Sequence, residues 1–317
     1  MRKDKILVIG ANGQIGTVLT QALRQKYGID NVLATDIRTS EILNDPFEIL
    51  DILDQEGLSN IVKKYHITQI YHLAAILSAN GEKNPRRTWD INMNGLFNVL
   101  EVAKEHSLDR VFFPSSIAVF GTHTPKEKTP QFTFLDPATV YGMSKAAGEN
   151  WCQYYFDKYK LDVRSVRYPG VISYQSMPGG GTTDYAVDIF HKAVQGENFD
   201  CFLSEKTRLP MIYMPDAIRA TLELMEVSRE KIKVRSSYNL AAITFSPAEI
   251  AQAIQHYFPK FKINYTPDFR QAIADSWPAS IDDSEARNDW NWKEEYDIHE
   301  MTKDMILQLS KKYNLVP

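Results

Sequence analysis

Tyr141 and Lys145 stand four residues apart in the segment Tyr141-Gly-Met-Ser-Lys145. On a helix that spacing puts both side chains on one face, where an ammonium beneath a phenol favours the ionised form. A free tyrosine titrates near pH ~10, so about one in a thousand is phenolate at neutral pH, and each unit of depression corresponds to about 1.4 kcal/mol. A nearby cation supplies part of such a shift, which would make Tyr141 a base for a substrate hydroxyl. The pair alone says little, because a Tyr and a Lys at this spacing also occur on exposed faces of ordinary helices. Ser116 lies 25 residues earlier, just past the apolar run Arg110-Val-Phe-Phe113. Its hydroxyl is placed to hydrogen-bond a reacting oxygen.

These three side chains need a scaffold, and the chain supplies a repeating one. Lys5-Ile-Leu-Val-Ile9 reads as a central parallel strand buried on both faces. Gly10-Ala-Asn-Gly13-Gln14-Ile15-Gly16 follows, and then a helical pattern with Ile15, Val18, Leu19, Ala22 and Leu23 on one face. Strand, glycine turn and helix in this order place a helix N-terminus against a diphosphate, with Gly10 at the tight turn, Gly13 beneath the pyrophosphate and Gly16 at the helix–strand contact. A second strand ends at Asp36, 20 residues beyond Gly16. An acid there suits an adenosine ribose diol and repels a 2′-phosphate, so the expected cofactor is NAD, with Ile37 and Arg38 beside it. Arg38 pulls the other way, since a guanidinium can accept that phosphate. Asp51 and Ile52 are expected at the end of a third strand against the adenine edge, although Asp51 could equally cap the next helix. Gln69-Ile-Tyr-His-Leu73 is a fourth strand leading into Ala74-Ala75, small residues across which a dinucleotide can lie. Trp89 to Lys104 forms an amphipathic helix with Asn92, Asn94 and Asn98 inside it, and one of these is expected to bond either backbone near the active site or a water. Asp162 to Arg167 is the sixth strand, followed by Val171 as a cofactor contact.

Past residue 170 the β-α rhythm breaks. Pro178-Gly-Gly-Gly-Thr-Thr-Asp184 is a polar loop, followed by a helix through Ala186, Ile189, Phe190 and Ala193. The expected architecture is therefore α/β: a Rossmann doubly wound parallel sheet over residues 1–170, then a smaller substrate lobe over 171–317 with crossings back to the first domain. At 317 residues the chain is long enough for both. Hydrophobic residues make up 44% and charged residues 24%, as in globular proteins, and the net charge of −4 carries no basic footprint for nucleic acid or a membrane surface. Cys152 and Cys201 are the two cysteines, so no metal site is expected and a reducing, cytoplasmic location is. No signal-peptide segment precedes the first strand.

Taken together, Gly10/Gly13/Gly16, Asp36, Ala74-Ala75, Ser116 and Tyr141/Lys145 resemble the extended short-chain dehydrogenase/reductase superfamily. Over nearly its whole length the chain resembles, more narrowly, the short-chain L-threonine 3-dehydrogenase family. The marks are Asp36-Ile-Arg38, Leu77-Ser78-Ala79, Pro114-Ser-Ser-Ile117 with Phe120-Gly121, Arg167-Tyr-Pro-Gly170, the Pro178 to Ala186 segment and Arg270-Gln-Ala-Ile-Ala-Asp-Ser-Trp-Pro278. The resemblance implies NAD-dependent oxidation of the threonine Cβ hydroxyl and a homodimer formed through the apolar faces of the Trp89 and Tyr141 helices. Ser116 stands where many members carry Thr, which keeps the hydroxyl. A small zwitterion needs its ammonium and carboxylate read by polar groups, for which Ser78, Ser115, Ser116, Tyr141, Gly180, Thr182, Thr183, Asp184 and Trp277 are the candidates. The Gly179-Gly180-Gly181 loop reads as a lid, with Trp277 as the opposite wall.

Two other readings fit the same pattern. A nucleotide-sugar epimerase or dehydratase would need a diphosphate pocket, for which Arg208 and Arg219 are available. A non-catalytic sensor of the NAD redox state would use the glycine loop alone.

Overall fold

The four residues Ile6–Ile9 have no solvent-facing side, and the fold is assembled around them. The computed structural model describes residues 4–177, 179 and 181–315, which divide into two units. The first comprises Met1–Ser116, Thr139–Arg167 and Ile218–Tyr238. Its strands are β1 (Ile6–Ile9), β2 (Val32–Asp36), β3 (Phe47–Ile49), β4 (Gln69–His72), β5 (Arg110–Ser116) and β6 (Val163–Tyr168). Its helices are α1 (Gln14–Tyr27), α2 (Gln55–Lys64), the single turn α3 (Ser78–Gly81), α4 (Pro85–Glu105) and α5 (Val140–Tyr159).

β1 lies between β2 and β4, parallel to both, with Ile6 opposite Val32 on one side and Gln69 on the other. The seven-stranded sheet runs β3-β2-β1-β4-β5-β6 and closes on the later edge pair Tyr238–Asn239. Strand order reverses direction between β1 and β4, which is where open α/β sheets place ligands beyond the strand carboxyl ends. Leu7, Ile9, Ile70, Val111, Phe113 and Val163 from the sheet pack with Leu58, Leu96, Val99 and Leu100 from α2 and α4 in one buried layer. Each such side chain contributes about 1.5–3 kcal/mol by leaving water.

The third strand lies earlier than Asp51-Ile52. It ends at Ile49, after which Leu50 N bonds the Asp36 carbonyl at 2.9 Å and the chain turns. Asp51 Oδ1 accepts from Leu53 N within that turn, and Asp54, not Asp51, caps α2.

The second unit comprises Ile117–Ala138, Tyr168–Ala217 and Asn239–Pro317. The division thus falls at Arg167/Tyr168, with residues 117–138 leaving the first unit and 218–238 returning to it. Here β7 (Gly170–Ile172) pairs parallel with β9 (Leu209–Tyr213), which pairs antiparallel with β11 (Ile243–Phe245). β8 (Phe199–Cys201) pairs with β12 (Ile263–Tyr265). Helices α6 (Tyr185–Val194), α8 (Pro247–Gln255) and α11 (Ile298–Lys312) pack on one another, with α9 (Arg270–Ser276) and α10 (Ser284–Trp290) also in this unit; α7 (Met214–Glu226) starts here and from Ile218 is counted with the first unit. The Lys126 ammonium donates to the carbonyls of Gly121, Asp275, Ser276 and Trp277, tying the 117–138 loop to the turn after α9. Among the described residues, no helix is long and apolar enough to cross a membrane, and no group of His, Cys, Asp and Glu could hold a metal ion.

Candidate active site

The glycine loop is shaped by what glycine lacks. Gly10 adopts φ +81°, and a Cβ there would sit 2.6 Å from Ala74 N; a Cβ on Gly16 would sit 2.2 Å from the Gly10 carbonyl. Loop, α1 and the end of β4 therefore touch backbone to backbone. α1 begins at Gln14 and Ile15 with no side-chain cap and no acid in its first turn, which leaves its positive end available to an anion. Asp36 is held at the same edge, because Asn12 N donates to its Oδ2 at 3.0 Å. The Asn12 side chain reaches the carbonyls of Arg38 and Thr39 at 2.9 and 3.3 Å, fixing the turn that carries Ile37 and Arg38.

Three apolar side chains stay open beyond the strand ends: Ile37 is 61% exposed, Leu77 53% and Leu53 44%. Ile52 differs, being buried against Gly95 of α4, where a Cβ would meet its side chain at 3.1 Å. An uncapped helix end and a fixed carboxylate at the end of the neighbouring strand suit a dinucleotide.

The catalytic candidates come together within the first unit. Thr139 caps α5 by accepting from Gly142 N at 3.1 Å, and Glu82 accepts from Val140 N at 2.9 Å, so Tyr141 enters in a doubly anchored first turn. Ser144 Oγ donates to the Tyr141 carbonyl at 2.7 Å and accepts from Asn92 Nδ2 at 3.1 Å. Asn92 also clamps Ile76, accepting from its N–H and donating to its carbonyl, and Asn98 Nδ2 donates to the Ile52 carbonyl at 2.9 Å, so two of the three helix asparagines bond backbone. The Ser116 hydroxyl hydrogen-bonds the Tyr141 phenol. Lys145 Nζ donates to the Pro114 carbonyl at 2.7 Å and lies 4.5 Å from the Phe113 ring centre and 5.6 Å from that of Tyr141.

The electrostatics depart from expectation. Burial pushes the Tyr141 phenol up to about 12, opposed by Ser116. Lys145 does not bring the phenol down in the chain by itself, because its bond is taken by Pro114 and its nearest ring is Phe113. Burial also lowers the ammonium, to about 8. His72, at the end of β4, is pushed down to about 3 by burial, with Lys145 adding to the shift, and so faces the site as a neutral ring.

Ser115 turns away from its neighbour Ser116. Its hydroxyl donates to Glu149 Oε1 at 2.5 Å, where Arg167 also binds, so it is engaged elsewhere than with a substrate. Ser78 is buried at the start of α3. In the second unit Thr182 is buried and its hydroxyl has no hydrogen-bond partner, whereas Asp184 accepts from Gly181 N at 2.7 Å. Thr183 is partly buried, and Val171 sits in β7 opposite Ile212. Trp277 is buried at the end of α9. Gly180 lies outside the described residues. Asn12 and Glu149 were not singled out from sequence, though one lies inside the glycine loop and the other continues the Tyr141/Lys145 spacing by four more residues.

A profile of the NAD dependent epimerase/dehydratase family matches residues 6–241. The chain is 49% identical over 313 residues to an uncharacterized epimerase/dehydratase of Staphylococcus aureus, covering 97% of each. Among solved structures it is similar to a GalE-like L-threonine dehydrogenase from Cupriavidus necator in its holo form, at 55% identity and TM-score 0.95, over 96% of this chain and 99% of that one. A monomeric L-threonine 3-dehydrogenase from a metagenome is 49% identical with TM-score 0.94, over 97% of this chain and 99% of that one.

Proposed function

This chain belongs to the NAD-dependent epimerase/dehydratase family, and from that premise we propose that it oxidises the Cβ hydroxyl of L-threonine to 2-amino-3-oxobutanoate, a step of threonine catabolism toward glycine. The observation that carries the reading is the Ser116–Tyr141 hydroxyl pair with Lys145 behind it, and the near full-length likeness to threonine dehydrogenases supports the substrate. NAD, when bound, accepts the hydride that leaves Cβ. Gly10, Gly13, Gln14, Ile15 and Gly16 hold its diphosphate through backbone, Asp36 its adenosine ribose, Ile37, Asp51, Leu73, Ala74, Ala75 and Val171 its remaining edges, and Lys145 its second ribose. Tyr141 Oη takes the proton of the substrate hydroxyl, and Ser116 donates to the carbonyl oxygen that forms. Ser78, Gly180, Thr182, Thr183, Asp184 and Trp277 are proposed to read the ammonium and carboxylate.

The test is NADH formation from L-threonine set against UDP-sugars as substrates. Turnover of the amino acid alone supports the reading. Epimerisation of a nucleotide sugar without net NADH, or NAD binding with no turnover of either, would replace it.

We propose further that the chain forms a homodimer through α4 and α5. Trp151 meets Phe97 edge-on at 4.9 Å on that face, and Trp89, Trp151, Tyr154 and Tyr159 are 37–42% exposed. A monomeric mass by light scattering would remove this proposal and leave the enzymology standing.

A further inference from the structure

Tyr141 and Lys145 do not end the line of residues on their helix face, because Glu149 continues it by one more turn. Its side chain is 1% exposed and receives three donors. Ser115 Oγ and Arg167 Nε bond Oε1 at 2.5 and 2.9 Å, and Arg167 Nη2 bonds Oε2 at 2.7 Å. Arg167 is itself 4% exposed. Glycine at 148 lets the helix lie directly on β5, since a Cβ there would sit 2.6 Å from the Phe113 ring. The same Phe113 ring and the next carbonyl, of Pro114, are the groups that hold the Lys145 ammonium. One carboxylate thus fastens α5 to β5 and β6 at the level of the lysine.

We propose that Glu149 is a positioning residue for Lys145: fixed by Ser115 and Arg167, its carboxylate supplies the negative charge that keeps the buried ammonium protonated and directed at the cofactor side of Tyr141. The inference rests on the reading of Lys145 as part of the dehydrogenase site. The titratable and charged groups around Lys145 are Tyr141, Glu149 and Cys152 on α5, His72 on β4 and Arg167 on β6. Burial keeps Tyr141 and the Cys152 thiol protonated at neutral pH and His72 neutral, which leaves Glu149 as the negative charge among them. Burial works to strip the proton from Lys145; Cys152 and Glu149 act in the opposite direction, and with the Cys152 thiol held protonated by its own burial, Glu149 is the one that carries charge at neutral pH.

The experiment is a titration of the Lys145 Nζ resonance in the cofactor-free full chain labelled with nitrogen-15 lysine, assigned with Lys145→Met. Glu149→Gln should lower the Lys145 midpoint by about one pH unit. That variant leaves Arg167 buried without its partner and is at risk of not folding. Glu149→Gln/Arg167→Gln removes both charges while keeping acceptors and donors in place. There the loss of Arg167 opposes the drop, so a fall of about half a unit or more is expected. An unchanged midpoint in the double variant would overturn the proposal, even if stability fell, since a purely structural role moves stability and not this titration. The readout needs no substrate, so it stands apart from the threonine assay: an inactive wild-type chain with a shifted midpoint would discard the proposed reaction and keep the role of Glu149.

Discussion

The glycine loop and the Tyr141–Lys145–Glu149 face of α5 are built by opposite means. The loop works through backbone: a Cβ added at Gly10 would meet backbone at 2.6 Å and one at Gly16 at 2.2 Å. The α5 face works through side chains, each held by a partner: Ser116 on Tyr141, Pro114 on Lys145, and Ser115 with Arg167 on Glu149. The first should fail by losing shape and the second by losing charge or protons while keeping its shape. Substitutions in the two regions should therefore separate binding from turnover.

The largest effect is expected from Tyr141→Phe, which leaves α5 and its caps intact but removes the proton acceptor. Turnover of threonine should fall about a thousandfold while NAD affinity stays within about twofold. In the unmodified chain, kcat/KM should climb about tenfold per pH unit from neutrality upward, because the active species is the deprotonated phenol and its pKa lies above that range. A profile flat through neutral pH would show that another group is the base.

Gly16→Ala is the converse test. The added methyl forces a backbone shift at the Gly10 carbonyl, so NADH affinity by fluorescence titration should drop about tenfold or more, with kcat at saturating cofactor changed far less. Equal losses in both would mean that the loop also orders the catalytic face. Asp36→Ala should shrink the preference for NAD over NADP about tenfold, because a carboxylate held by Asn12 no longer repels the 2′-phosphate. Preference measured as a ratio of kcat/KM values checks it; no change would assign the selection elsewhere.

The smallest effect belongs to Thr182→Val. An unpartnered buried hydroxyl disfavours folding, so its removal should leave thermal stability equal or raise it by up to about 1 kcal/mol. If the hydroxyl binds threonine, KM should rise about fivefold with kcat nearly constant. A destabilised protein with unchanged KM would make Thr182 a packing residue.

Where local pattern and fold agree, the sequence was readable. The run at Ile6–Ile9, the glycine spacing and the amphipathic α4 each depend on short-range periodicity, and each lies within a few residues of its expected place. The third strand was misplaced because Phe47–Ile49 has only three residues on a sheet edge, partly exposed, and gives no apolar run. α11 escaped notice although Asp297 and Glu300 form a capping box at its start, since the acidic residues before it mask its apolar stripe. From sequence, Ser116 is the catalytic hydroxyl and Ser115 a further substrate contact; alternation along a strand sends neighbours to opposite faces, and only the position of Glu149 shows that Ser115 is engaged elsewhere. The sign of the Tyr141 shift was also out of reach, because it depends on how deeply the phenol is buried and where the ammonium spends its hydrogen bond.

The ring of carbonyls around Lys126 has the donor set that proteins elsewhere offer to a monovalent ion stripped of its water. Here the ion is tethered to the chain by four methylenes. It cannot be diluted away, exchanged for sodium or chelated, so the turn carrying Trp277 keeps its electrostatic anchor whatever the salt composition of its surroundings. Burial lowers this ammonium below its ordinary value, so alkaline pH, at a milder level than an ordinary lysine would need, is the condition that would release the turn, rather than ionic strength.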